Sequence, residues 1–314
     1  MTEGSLLTRR AFAKGMAAYG AAAVISPALP RQTFAREAFV LGEATVETLS
    51  DGHLVLPIDF QYGDAPREEL EALLKAHDLP ITVSEPDCNL TLLRDGGRIV
   101  LFDAGSGSRF VPSAGKMMHA FKEIGLDPSQ VTHVVFTHAH PDHIWGILDD
   151  FDDVMFPDAE LMISAAEWDY WWNPATIDTL PEARKPFAVG AKRSLEAIED
   201  QVTRFHPGEE ILPGVLALDT NGHTPGHMSF EIAKGGESVL VLGDAITHAY
   251  ISFAHPEWPN GADHDTEKGI ATRKLLLDKL ALEQTRIIGF HLPYPGFGRV
   301  EKSGTAYRYV ADTK

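Results

Sequence analysis

Cysteine is nearly missing from this chain: Cys88 stands alone among 314 residues. An intrachain disulfide is therefore impossible, and a zinc site built on cysteines is not expected. Cys88 reads as a small buried residue at a strand start, which leaves histidine and carboxylate as the groups able to hold a metal. Basic residues are also scarce, 27 Lys and Arg against 45 Asp and Glu, for a formal net charge of -18. Several of these cations (Arg9, Arg10, Lys14, Arg31, Arg36) fall in the first 36 positions, so the remainder is more acidic than the total implies. Nucleic acid and anionic membrane surfaces are poor partners for such a chain. No stretch beyond the N-terminus approaches the run of about 18 apolar residues needed to span a bilayer, and no short repeat or low-complexity tract follows it. What is present is apolar mass, 44% of the residues, enough for a substantial core.

The opening segment, "LLTRRAFAKGMAAYGAAAVISPALP", has a basic front, a weakly apolar middle and no acidic residue. That is the pattern of an export signal, and "TRRAFAKG" resembles the twin-arginine type, which engages the twin-arginine export machinery. The expected organisation is an export signal over residues 1–36 and one domain over residues 37–314, located in the periplasm.

Along the rest of the chain, "ATVETLSDGHLVLP" reads as a strand with a turn at Asp51-Gly52. "NLTLLRDGGRIVLFDAG" reads as a hairpin about Asp95-Gly96-Gly97. A helix around "AGKMMHAFKEIG" leads into the strand "THVVFTH", and the strand "ELMISA" precedes an aromatic cluster, "EWDYWWN". Residues 173–190 carry Pro174, Pro181 and Pro186 and read as an irregular loop or lid, with a helix at "AKRSLEAIEDQ" after it. A second strand series runs from "QVTRFHP" through "GVLALDT" and the hairpin "MSFEIAKGGESVLVLGD". Leu276, Leu277 and Leu280 mark one face of a helix, "TRIIGFH" follows as a strand, and "GRVEKSG" and "AYRYVAD" close the chain. Two halves thus share one order of elements. Two facing sheets with helices outside are the natural solution for so many half-buried strands.

"THAHPDHIWG", residues 137–146, places ligand-type side chains directly after an apolar strand. His138 and His140 are two apart and point to the same side of an extended chain, while Pro141 forces a turn and Asp142 and His143 begin a helix. Three further sites also follow apolar strands: His223 and His227 in "LDTNGHTPGHMSF", Asp244 in "GDAITH", and His291 in "GFHLPYPG". Singly, His223 has an ordinary reading as a turn histidine, Asp244 as a helix cap and His291 as a core histidine. Together they form a set that packing alone does not require. Imidazole and carboxylate without thiolate suit zinc, manganese, cobalt or iron.

With "HAHPDH", "GHTPGH", "LGDA" and "GFH" in this order, the sequence resembles the metallo-β-lactamase superfamily of metal-dependent hydrolases, from about residue 45 onward. The resemblance implies a mixed α/β (α+β) fold, a four-layer αββα sandwich with the site at one edge. It implies two divalent metal ions, zinc first and manganese, cobalt or iron as alternatives. His138, His140 and His223 would hold one metal and Asp142, His143 and His291 the other, with Asp244 bridging. His227 would stand behind the ligands and orient its neighbour. The implied chemistry is hydrolysis by a hydroxide shared between the metals, with Asp142 or Asp244 handling the proton.

Within the family, the glutamate of the oxygen-reducing members is replaced by His140, and Cys88 lies far in sequence from the bridging region where common zinc β-lactamases use a cysteine. "LSDGHLVLP", "DAGSGSRF", "HLPYPGFGRV" and "AYRYV" are similar to the methyl parathion hydrolase and lactonase-arylesterase branch. The expected substrate is a neutral or hydrophobic ester, lactone or organophosphate triester. Phe110, Trp171 and Phe187 are the matching candidates for pocket aromatics, and a homodimer is expected because such enzymes are commonly dimeric. One departure is Thr247, where well-studied acyl-homoserine lactonases carry a tyrosine. The main alternative is a mononuclear iron thiol (persulfide) dioxygenase of the same fold, and a further one is a non-catalytic metal-binding protein.

Overall fold

The computed structural model describes residues 37–312; the expected export signal lies outside the described residues. The first large sheet has the order β1-β2-β5-β6-β7-β8-β9, with β1 at Glu37–Leu41, β2 at Ala44–His53, β5 at Asp87–Asp95, β6 at Arg98–Phe102, β7 at His133–Val135, β8 at Glu160–Ser164 and β9 at Val202–Phe205. The short pair β3 (Leu56–Pro57) and β4 (Val83–Ser84) forms a ribbon of its own. The second large sheet runs β10 to β16 in sequence order. Its strands are β10 at Glu210–Leu212, β11 at Val215–Asp219, β12 at Met228–Lys234, β13 at Glu237–Val241, β14 at Arg286–Ile288, β15 at Phe297–Ser303 and β16 at Ala306–Ala311.

Strand alternation builds the layers. Val100 and Phe102 point between the sheets while Leu101 points to the helices outside, and Val239 and Val241 alternate with Leu240 in the same way. One apolar core therefore lies between the sheets, and there Phe102 and Phe230 meet at a centroid distance of 5.4 Å. A second core joins the first sheet to the helices Met117–Ile124, Ala165–Trp172 and Lys185–Ile198. A third lies under the helix Thr266–Glu283, which buries Leu276, Leu277 and Leu280 and is capped by Asp265 accepting from the Lys268 amide. Three cores between four layers give the expected αββα sandwich. Among the described residues no helix is long and apolar enough to cross a membrane.

Three expectations are corrected. The segment 173–190 is largely helical: Lys185–Ile198 starts six residues before "AKRSLEAIEDQ", because Pro186 occupies the first turn, where its missing N–H costs nothing. Val202–Phe205 pairs parallel with β8 and closes the first sheet instead of opening the second. Asp51-Gly52 lies inside β2 at an irregularity in its pairing with β5 and makes no turn. There the buried Asp51 carboxylate accepts from the Ser106, Gly115 and Met117 amides and ties the strand to the following loop.

Candidate metal centre

The ligand-type residues leave the C-terminal ends of several strands. Thr137 to His143 follow β7, His223 follows β11, Asp244 follows β13 and His291 follows β14. The "HAHPDH" segment stays extended through His140 and turns into the short helix Pro141–Ile144, which carries Asp142 and His143 inward. All seven expected ligands are buried. Donor atoms of His138, His140 and His223 lie within 4.8 Å of one another, and so do those of His138, His143 and Asp244.

Acceptors behind the rings fix the protons. Asp263 Oδ1 lies 3.0 Å from His223 Nδ1, Asp103 Oδ2 lies 2.8 Å from His143 Nδ1, and the Asp87 carbonyl lies 2.8 Å from His291 Nδ1. A carboxylate or carbonyl can only accept, so each ring keeps its proton on Nδ1 and turns Nε2 forward. Those Nε2 atoms face carboxylates: His143 lies 3.2 Å from Asp244 Oδ1, His223 lies 3.3 Å from Asp244 Oδ2, and His291 lies 3.2 Å from both Asp142 Oδ2 and Asp244 Oδ2. Lone pairs opposed at such distances need a proton or a cation between them. Without a cation the protons are retained. Burial disfavours charge, but the Asp244, Asp142 and Asp103 carboxylates outweigh it and hold His143 up at about 10. His291 is likewise raised well above the ordinary histidine value, against burial, chiefly by Asp244. Burial pushes His138 and His140 well down, leaving neutral imidazoles ready to coordinate.

His138 Nε2 is buried without a hydrogen-bond partner, and His143 Nε2, Asp142 Oδ2 and Asp244 Oδ1 are buried with no well-aligned hydrogen bond, only the close imidazole–carboxylate approaches given above. Orphaned polar atoms of this kind require a partner, and a pair of divalent cations fits the donor set. His138, His140 and His223 offer an all-imidazole pole. Asp142, His143 and His291 offer a mixed one, with Asp244 between them.

Sequence reasoning missed several residues that hold this array. Asp103, at the end of β6 with φ of 63°, also accepts from the Thr137 amide at 2.8 Å. Glu167, fully buried, takes four donors: the Ala139 and Gly226 amides, Thr224 Oγ1 and Trp171 Nε1. It thereby clamps the "HAH" and "GHTPGH" loops together. Asp263 and His264 come from one loop, and His264 Nε2 lies 3.0 Å from His140 Nε2. A lone Asp in a loop, or a lone Glu in the first turn of a helix, carries no pattern to separate it from a solvated one. His227 accepts from the Asp244 amide at 2.8 Å while its Nδ1 lies 2.9 Å from Thr220 Oγ1. A side chain at Gly243 (φ 54°) would come within 2.6 Å of that ring, so the tight approach requires glycine. Cys88 proves far from the ligands only in sequence: its Sγ and donor atoms of Asp142 and His291 lie within 4.8 Å of one another.

The three candidate aromatics form a chain beside His140. Trp171 and Phe187 each have ring centroids 5.9 Å from it, and Phe110 lies 5.9 Å from Phe187. Trp171 is 1% exposed with its indole N–H spent on Glu167, so it supports the wall, while half-buried Phe187 offers surface. At the mixed pole, a cleft of about 260 Å³ lined by Ile58, Leu79, Val83 and Tyr250 reaches His291. Thr247 is buried and accepts from Asn260 Nδ2.

The family model described as "Metallo-beta-lactamase superfamily" matches residues 84–291. An uncharacterized protein, YobT, of Bacillus subtilis (strain 168) is 30% identical over 199 residues, covering 61% of this chain and 78% of that protein. Among solved structures, AidC, a dizinc quorum-quenching lactonase in complex with a product, superimposes with a TM-score of 0.85 at 26% identity, covering 89% of this chain and 98% of that one. AbOPH, a hydrolase of the beta lactamase superfamily, gives 0.84 at 26% identity over 90% and 99%. The chain belongs to the metallo-beta-lactamase superfamily. It is a metal-dependent hydrolase with lactonases among its structural neighbours.

Proposed function

We propose that this hydrolase cleaves a neutral or hydrophobic ester or lactone, and organophosphate triesters at the same site, as a member of the methyl parathion hydrolase and lactonase-arylesterase branch. The observation that carries this reading is the convergence of seven buried ligand-type side chains, with aromatic rings beside His140 and a largely apolar cleft reaching His291. His138, His140 and His223 would hold one metal and Asp142, His143 and His291 the other, with Asp244 shared and zinc the expected ion. When bound, such a pair supplies Lewis acidity and a hydroxide near neutral pH.

The rest falls to the chain. Asp103, Asp263 and the Asp87 carbonyl keep the ligand rings aimed. Asp142 and Asp244, held ionised against burial by neighbouring imidazoles, are placed to take the proton of the attacking water. Phe187 and Phe110 at the all-imidazole pole and Ile58, Leu79 and Val83 at the mixed pole favour apolar substituents. Thr247, bonded to Asn260, offers no phenol where acyl-homoserine lactonases carry one, which favours aryl esters or other lactones; Tyr250 on the cleft wall is the available phenol. The N-terminal segment would direct export to the periplasm.

The test compares kcat/KM of the metal-loaded protein on matched aryl esters, lactones and phosphotriesters. Oxygen-independent turnover with two metals per chain is expected. One iron per chain with oxygen uptake would replace this reading with thiol dioxygenation.

A further inference from the structure

Cys88 lies at the start of β5, immediately after the residue whose carbonyl accepts from His291 Nδ1. The strand is thus pinned to the loop that carries His291. Its next side chain, Asn89, holds that loop from the other face by donating to the Gly289 and Leu292 carbonyls. Between these two anchors the Cys88 thiol is fully buried, with Sγ, an Asp142 carboxylate oxygen and a His291 ring nitrogen all within 4.8 Å of one another. The Asp142–His291 pair beside the thiol marks this as more than core packing. Asp142 Oδ2 is buried with no well-aligned hydrogen bond. His291 has its Nδ1 committed to Asp87, so the nitrogen left for the cluster is Nε2, 3.2 Å from that same Asp142 oxygen.

We propose that Cys88 Sγ is an additional donor to the metal held by Asp142 and His291. The inference rests on the metallohydrolase reading and extends it, since none of this chain's four ligand motifs contains a cysteine and Cys88 lies outside all of them. On coordination the thiol S–H breaks, its proton passes to solvent and a sulfur–metal bond forms, with no change of oxidation state. A soft donor at one pole and imidazoles at the other make the two sites unequal: the mixed pole would retain zinc or cobalt in preference to manganese.

The experiment uses the full chain. X-ray absorption of the zinc-loaded protein should show a sulfur scatterer at about 2.3 Å beside the nitrogen and oxygen shell. Titration of the metal-free protein with cobalt(II) should produce a near-ultraviolet sulfur-to-cobalt absorption that is lost in Cys88→Ser and Cys88→Ala, while the visible cobalt bands persist. The variants should also hold their second metal at least about tenfold more weakly. Two bound metals with nitrogen and oxygen scatterers alone would overturn this inference and leave the hydrolase reading standing. Failure to bind a metal pair would overturn both. The absorption measurement on the unaltered chain needs no variant to fold.

Discussion

His264 Nε2 sits 3.0 Å from His140 Nε2, and its other nitrogen lies 3.0 Å from the Tyr170 hydroxyl. Its neighbour Asp263 holds His223. One loop thus orients two imidazoles of the same pole, whereas the other pole is held by Asp103 and a backbone carbonyl. Removing the His264 ring takes away the partner of His140 Nε2. His264→Ala is expected to lower affinity at the all-imidazole pole by about 10- to 100-fold. Metal analysis after dialysis against a graded chelator series measures this; unchanged retention would refute a positioning role.

Asp244 faces His143, His223 and His291 at 3.2 to 3.3 Å and is the one carboxylate shared by both poles. Asp244→Ala should reduce the metal content below two per chain and lower kcat/KM by about a thousandfold or more, comparable with removing a principal electrostatic element. Retention of both metals and of activity would sink the bridging assignment.

Glu167 satisfies two backbone amides, a hydroxyl and an indole in a fully buried site. Glu167→Ala leaves those donors without an acceptor, and the expected loss is about 3–5 kcal/mol of stability. Urea unfolding monitored by tryptophan fluorescence reads the loss directly. A change under about 1 kcal/mol would show that water replaces the carboxylate there.

The metal-free protein should have a pH-dependent stability set partly by His143. Its folded value, about 10, lies above the ordinary unfolded value near 6.5. Its contribution is therefore fully present below about pH 6.5 and is lost as pH rises through about 10. A cation must displace that proton, so metal binding should release protons at neutral pH and tighten with rising pH over the same window. Calorimetry in buffers of different ionisation enthalpy tests both; no proton release would contradict the assignment of His143 as a ligand.

Substrate preference should separate the two walls. Phe187→Ala, beside His140, should lower kcat/KM for aryl leaving groups by about tenfold, the cost of one lost aromatic contact. Leu79→Trp, which fills the cleft near His291, should penalise long-chain esters and spare acetate. Equal effects of both changes on all substrates would argue against apolar recognition at either wall.

Much of this was legible in the chain. "HAHPDH" following an apolar strand, with His223, Asp244 and His291 each at the end of another, singled out the ligand-type side chains that the fold buries together, because strand alternation and a proline turn act over a few residues. The hairpins, the Leu276 to Leu280 face and the two-sheet sandwich followed from apolar periodicity, which is equally local. Tertiary structure alone decided what stands behind the ligands. Asp103, Asp263 and His264 are single polar residues in loops and Glu167 is one in the first turn of a short helix, and nothing in their neighbours distinguishes them until folding brings together residues 28 to 124 positions apart. The same is true of Cys88, 54 residues before Asp142 and 203 before His291, which only the pinning of β5 against the His291 loop carries to the edge of the metal centre.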